Sequence, residues 1–161
     1  MRLAQCVAIV ALGLTACTSA PETYSPPPGF PDLSSFTEET SPDFTASGFA
    51  FDTSQQISCV LDFGPHNITV CSGNIRGVPD SVQGSGCVAV RKPDPATTEA
   101  SYVFDRSGPK CVTSRRPTIE PGKKLTADNG TCAAGDDGLV ACIDADNRHG
   151  FVLQPSGSWT F

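Results

Sequence analysis

Six cysteines, at positions 59, 71, 87, 111, 132 and 142, constrain this 161-residue chain more than any other feature. Two pairs bracket turn-forming residues. Cys59 and Cys71 flank Gly64-Pro65-His66-Asn67, and Cys132 and Cys142 flank Gly135-Asp136-Asp137-Gly138. A cysteine on each arm of a tight hairpin puts two sulfurs within bonding reach, so hairpin geometry favours 59–71 and 132–142 and leaves 87–111. Metal binding fits the spacing poorly, because no CxxC or HxxxH pair occurs. The two cysteine hairpins continue as Asn74-Ile75-Arg76-Gly77 and Asn147-Arg148-His149-Gly150, a weak internal echo.

The rest of the region reads as short strands. Ile57, Cys59, Leu61 and Phe63 occupy alternate positions, the pattern of a half-buried strand, and Ile68 and Val70 begin its return. Cys87-Val88-Ala89-Val90, Ser101-Tyr102-Val103-Phe104, Cys111-Val112, Phe151-Val152-Leu153 and Trp159-Thr160-Phe161 are β-branched or aromatic and separated by Pro, Gly and Asp. No window holds a 3.6-residue period. With Gly 15 and Pro 14 in the chain, turns dominate. The expected fold is mainly β, a small antiparallel sandwich or open barrel stapled by three disulfides.

The amino-terminal stretch has a different character. Arg2 precedes an apolar run from Val7 to Leu14, too short to span a bilayer and suited to a signal peptide over residues 1–16. Leu14-Thr15-Ala16-Cys17 resembles the bacterial lipobox, in which small residues admit the peptidase and the cysteine takes lipid. Cys17 is therefore the expected lipidation site. Residues 17–43 carry that cysteine and a Pro/Ser/Thr-rich tether, with six prolines in 18–43 and an extended polyproline II conformation expected at 26–28. Phe30, Leu33 and Phe36 are the tether residues expected to pack on the domain edge, and the stapled β domain occupies 44–161.

The opening Phe49-Ala50-Phe51-Asp52-Thr53-Ser54 with Ile57-Ser58-Cys59 resembles that of a disulfide-rich domain of unknown function in secreted actinobacterial proteins, Phe-x-Ser/Thr-Pro-Ser-Gly-Asn-Ile-x-Cys. Gly138-Leu139-Val140-Ala141-Cys142 and His149-Gly150-Phe151-Val152-Leu153 are similar to that family's Gly-x-x-Cys and Gly-His-Gly-Phe. The likeness spans about residues 48–161. Gln55-Gln56 departs from the usual Gly-Asn, and Arg148 from the Gly before His. With the lipobox, the resemblance implies a mycobacterial-type lipoprotein. It implies export and disulfides and supplies no activity.

Charge and motifs narrow the function. The net charge of −6 repels phosphate backbones, so nucleic acid is not an expected partner. It also matches anionic headgroups poorly, so membrane contact is assigned to the lipid anchor. The expected location is the extracytoplasmic face of the cell membrane. His149, near Asp144 and Asp146, is the best single candidate for a contact or a general base. Arg115 and Arg116, with Lys123-Lys124 beyond Pro117, form a modest basic island and a second candidate contact. Asp144-Ala145-Asp146-Asn147 opens like a calcium loop but lacks its glycine and its bidentate Glu. No cofactor motif and no Gly-x-Ser-x-Gly elbow occurs. The expected function is a non-enzymatic envelope binding module with a protein or glycan partner. A hydrolase using His149 and an extracellular protease inhibitor are the alternatives.

Overall fold

The computed structural model describes residues 24–64, 67–93, 97, 99–106, 111 and 115–161. The expected leader, Cys17, His66 and Val112 lie outside the described residues. The chain forms a two-sheet sandwich. After β1 (Thr37–Glu38) and a one-turn helix α1 (Pro42–Ala46), five strands make the first sheet: β2 (Ala50–Asp52), β3 (Ile57–Phe63), β4 (Ile68–Gly73), β5 (Val88–Arg91) and β6 (Val103–Arg106). They pair in sequence order, all antiparallel. A second run of five follows: β7 (Lys123–Ala127), β8 (Gly130–Ala134), β9 (Val140–Asp144), β10 (Gly150–Leu153) and β11 (Trp159–Thr160), again in sequence order and antiparallel. β1 joins this sheet parallel to β7.

The cystines are the three expected pairs. Cys59–Cys71 joins directly opposed residues of β3 and β4, and Cys132–Cys142 joins directly opposed residues of β8 and β9, each with Cα atoms 4.1 Å apart. Cys87–Cys111 ties the start of β5 to the segment after β6. The internal echo thus has a structural meaning. Each sheet contains a five-strand meander whose second and third strands carry a cross-strand cystine.

The core lies between the sheets. Phe51, Ile57, Cys59, Leu61, Cys71 and Val90 face Leu125, Cys132, Val140, Cys142, Phe151 and Leu153 across it. The alternation along Ile57, Cys59 and Leu61 holds. Phe63 breaks it: the register shifts between Val60 and Phe63, which turns that ring out to 53 % exposure. One further expectation differs: Cys111 lies between strands. Lys123-Lys124, read as part of a modest basic island, begin β7 and are half-buried.

The second sheet is covered on both faces. Alternation directs Ala133, Ala141, Ile143 and Val152 away from the core, yet these are 0, 0, 5 and 1 % exposed. The amino-terminal segment crosses that outer face. Phe30 meets Phe161 edge-on beyond β11, with centroids 5.4 Å apart. Pro26, Pro27 and Leu33 then line a shared hollow with Ile143 of β9. At the far edge Lys124 Nζ donates to the Leu33 carbonyl at 3.0 Å. There Thr37 N donates to the Gly122 carbonyl and Glu39 N to that of Lys124, at 2.9 and 2.7 Å. From Tyr24 onward, then, the stretch read as a tether with Phe30, Leu33 and Phe36 packing on the domain edge lies docked along the second sheet. The prolines end in a tight turn, with Phe30 N bonded to the Pro27 carbonyl and Gly29 at φ 91°.

Two strand edges are covered. β1 covers β7, and β2 is flanked by residues 117–119 through Asp52 N to the Pro117 carbonyl and Ile119 N to that of Asp52, both 2.9 Å. Among the described residues no helix is long and apolar enough to cross a membrane.

Candidate functional site

The chemically distinctive place is one end of the sandwich, where both sheets contribute. Lys92 follows β5, Tyr102 precedes β6, Thr69 sits on β4, Asn129 forms the β7–β8 turn and Asp144 closes β9. The Lys92 side chain is 3 % exposed, and its Nζ lies 2.7 Å from Asp144 Oδ2. An ammonium that deep needs a counterion, because its desolvation costs several kcal/mol. The other Asp144 oxygen accepts from the Tyr102 hydroxyl at 2.5 Å. Lys92 Nζ also lies 5.3 Å from the centre of the Tyr102 ring. Burial, then the negative charge of Asp144, raise the Tyr102 hydroxyl far above the ordinary tyrosine range, so it remains a donor.

Asn129 extends the network. Its Nδ2 donates to the Leu61 carbonyl and, at 3.4 Å, to Thr69 Oγ1. Its Oδ1 is buried and has no hydrogen-bond partner among the described residues. Above these groups opens a recess of about 230 Å³, rimmed by Asn67, Ile68, Asp128 and Asp146. It is smaller than a drug-sized ligand site, and its polar surroundings are mainly acceptors. It can take a small group rich in hydrogen-bond donors.

The residues singled out from the sequence are dispersed. His149 lies on the β9–β10 hairpin, and its carbonyl accepts from Asp144 N at 2.9 Å. Its ring meets Ser101 Oγ at 3.3 Å through Nδ1. Neither expected carboxylate reaches it: Asp144 serves Lys92 and Tyr102, and Asp146 accepts from Arg148 N at 3.0 Å. Arg116 is a structural brace, with Nη1 donating to Ser58 Oγ at 2.9 Å and to the Cys59 carbonyl at 3.4 Å. Arg115 is exposed. Of the basic island, Arg116 is thus a brace, Arg115 is exposed and Lys123-Lys124 begin β7.

Sequence reasoning missed Lys92 and Tyr102. The available signal was a lysine directly after the apolar run Val88-Ala89-Val90 and a tyrosine opening the next strand, neither of which reveals burial. Among the described residues no group of three or more His, Cys, Asp or Glu side chains could hold a metal ion. No family model, curated protein or solved structure matches this chain.

Proposed function

We propose that the chain is a lipid-anchored binding module of the bacterial envelope, displayed on the extracytoplasmic face of the membrane. Its head takes a small, donor-rich ligand such as the hydroxyl-bearing end of an envelope glycan. The observation that carries the binding reading is the recess lined by the Lys92–Asp144 pair, with an unpartnered buried acceptor at Asn129 and carboxylates on its rim. The anchoring reading rests on Leu14-Thr15-Ala16-Cys17. Three cystines favour an oxidising compartment, in agreement with it. The likeness to secreted actinobacterial proteins adds to the export part of that reading.

Glycan fragments titrated into the full-length chain in detergent, followed by amide chemical shifts, test the binding reading. Saturable shifts at Asn67, Asn129 and Ala145 are expected. Asp128→Asn or Asp146→Asn should weaken binding about 10-fold or more, the value of one hydrogen bond to a charged group. Saturation without either effect rejects the recess as the site. The contact between Ser101 and His149 favours a hydrolase as the second reading. Turnover of an ester or amide panel that His149→Ala abolishes supports it, and a wild-type chain inert on the panel removes it.

A further inference from the structure

The docked amino-terminal segment bears on where the head stands. Tyr24 is fixed at the β9–β10 hairpin: Arg148 Nη2 donates to its hydroxyl at 3.1 Å, and the guanidinium carbon lies 4.3 Å from the ring centre. From there the segment is held at Phe30 against Phe161, at Leu33 by Lys124 and at Thr37 and Glu39 along β7. Glu38 adds a brace, its Oε1 accepting from Thr126 N at 2.9 Å and its Oε2 from Thr126 Oγ1 at 3.1 Å. Pro27, Phe30, Pro31, Leu33 and Phe36 are half-buried and the other residues from Tyr24 to Phe36 are exposed, so the packing of this stretch is carried by these five.

We propose that this strap, and not the full length of chain after Cys17, sets the distance and orientation of the head at the membrane. The proposal rests on the anchoring reading. With the strap docked, seven peptide units separate Cys17 from the first fixed residue. They span about 25 Å when fully extended and about 15 Å as a coil. A free tether reaching to Phe44 would span roughly 90 Å extended and about 29 Å as a coil. The docked strap therefore holds the head against the headgroup region and turns the β9–β10 hairpin end toward it. That same hairpin supplies Asp144, Ala145 and Asp146 to the recess, so the recess opens beside the bilayer. A free tether would let the head tumble and sample ligands in every direction.

The test uses the full-length lipidated chain in nanodiscs of zwitterionic phospholipid. Energy transfer is measured from a dye on an exposed head residue to an acceptor in the lipid. Two variants probe the strap. One combines Phe30→Ala with Lys124→Ala to release it, and the other inserts about 12 Gly/Ser residues between Thr23 and Tyr24, leaving every docking contact intact. The account predicts that both move the head outward by on the order of 10 Å. It also predicts that the Thr37 and Glu39 amides resist hydrogen exchange in wild type and in the insertion variant but not in the released one. A wild-type head as far out as the released one, or unprotected Thr37 and Glu39 amides, overturns the proposal while leaving the anchor standing. Recovery of Cys17 without acyl groups overturns the proposal and the anchoring reading together, even where those amides are protected.

Discussion

Replacing Lys92 alone, Asp144 alone and both together tests whether the floor of the recess is a true buried ion pair. Lys92 is 3 % exposed and Asp144 is 13 % exposed, and the charged atoms are 2.7 Å apart. Lys92→Met leaves the Asp144 carboxylate with Tyr102 as its remaining charge-compensating donor in a poorly solvated site. Asp144→Leu takes the paired carboxylate away from an ammonium that is almost fully buried and also removes the acceptor of Tyr102. Breaking a buried pair from one side costs about 3–5 kcal/mol. Because Asp144 is partly wetted and keeps Tyr102, Lys92→Met belongs at about 3 kcal/mol and Asp144→Leu nearer 5 kcal/mol. The double variant removes both charges of the pair, so it should cost about 5–6 kcal/mol and not the roughly 8 kcal/mol sum of the single losses, a coupling of about 2–3 kcal/mol. Either single loss is a large part of a total stability on the order of 5–15 kcal/mol. Guanidinium unfolding with the cystines intact, followed by tryptophan fluorescence of Trp159, gives all three values. Single losses below about 1 kcal/mol that simply add would refute the reasoning, since that is the behaviour of a solvated surface pair.

Four further outcomes follow from the same structure. The raised Tyr102 hydroxyl ionises in the unfolded chain near pH 10 but not in the folded one, so its contribution is fully present below pH 10 and is lost as pH rises beyond it. Stability should fall by about 1.4 kcal/mol per pH unit there, and Tyr102→Phe should flatten the slope in urea melts between pH 9.5 and 11. Replacing Cys132 and Cys142 together by alanine should cost about 3 kcal/mol from loop entropy, as should the pair Cys59 and Cys71; a Tm unchanged in both would contradict the stapled core. Gly150→Ala places a Cβ 2.5 Å from the Cys142 carbonyl oxygen and 2.6 Å from the Phe161 ring, so a loss of about 1–3 kcal/mol is expected in denaturant melts. Arg116→Ala should cost about 1 kcal/mol and Arg115→Ala close to nothing, and a reversed order would restore the basic island as a surface site.

The sandwich and its cystines were legible because hairpin geometry and disulfide geometry impose the same requirement on a pair of cysteines flanking a turn. The docked strap left a quieter trace. Leu139-Val140-Ala141-Cys142-Ile143 and Phe151-Val152-Leu153 are continuous apolar runs, unlike the alternating Ile57-Ser58-Cys59-Val60-Leu61. A continuous run means a strand covered on both faces, and something outside the two sheets has to cover the second one. Proline-rich composition argued instead for a tether, since it measures the apolar content of a segment and not the surface waiting for it. Phe30 was readable as an edge contact because an aromatic ring in a polar tether has few other uses. The recess was not legible at all. Lys92, Tyr102, Asn129 and Asp144 are widely separated in sequence and come from both sheets: the pairing of β5 with β6 and of β8 with β9 gathers them two by two, and the packing of one sheet on the other brings the two pairs together. His149 drew attention by its proximity in sequence to two aspartates, but the hairpin turn points those carboxylates at Lys92, Tyr102 and Arg148.

The account of an exported, stapled and anchored head meets its most direct test in the intact mass of the mature protein recovered from membranes. After alkylation of any free thiol, the account predicts a chain beginning at Cys17 that carries two or three acyl chains, with no alkyl group on Cys59, Cys71, Cys87, Cys111, Cys132 or Cys142. A chain that begins elsewhere, a Cys17 free of lipid, or an alkylated cysteine among those six would contradict it.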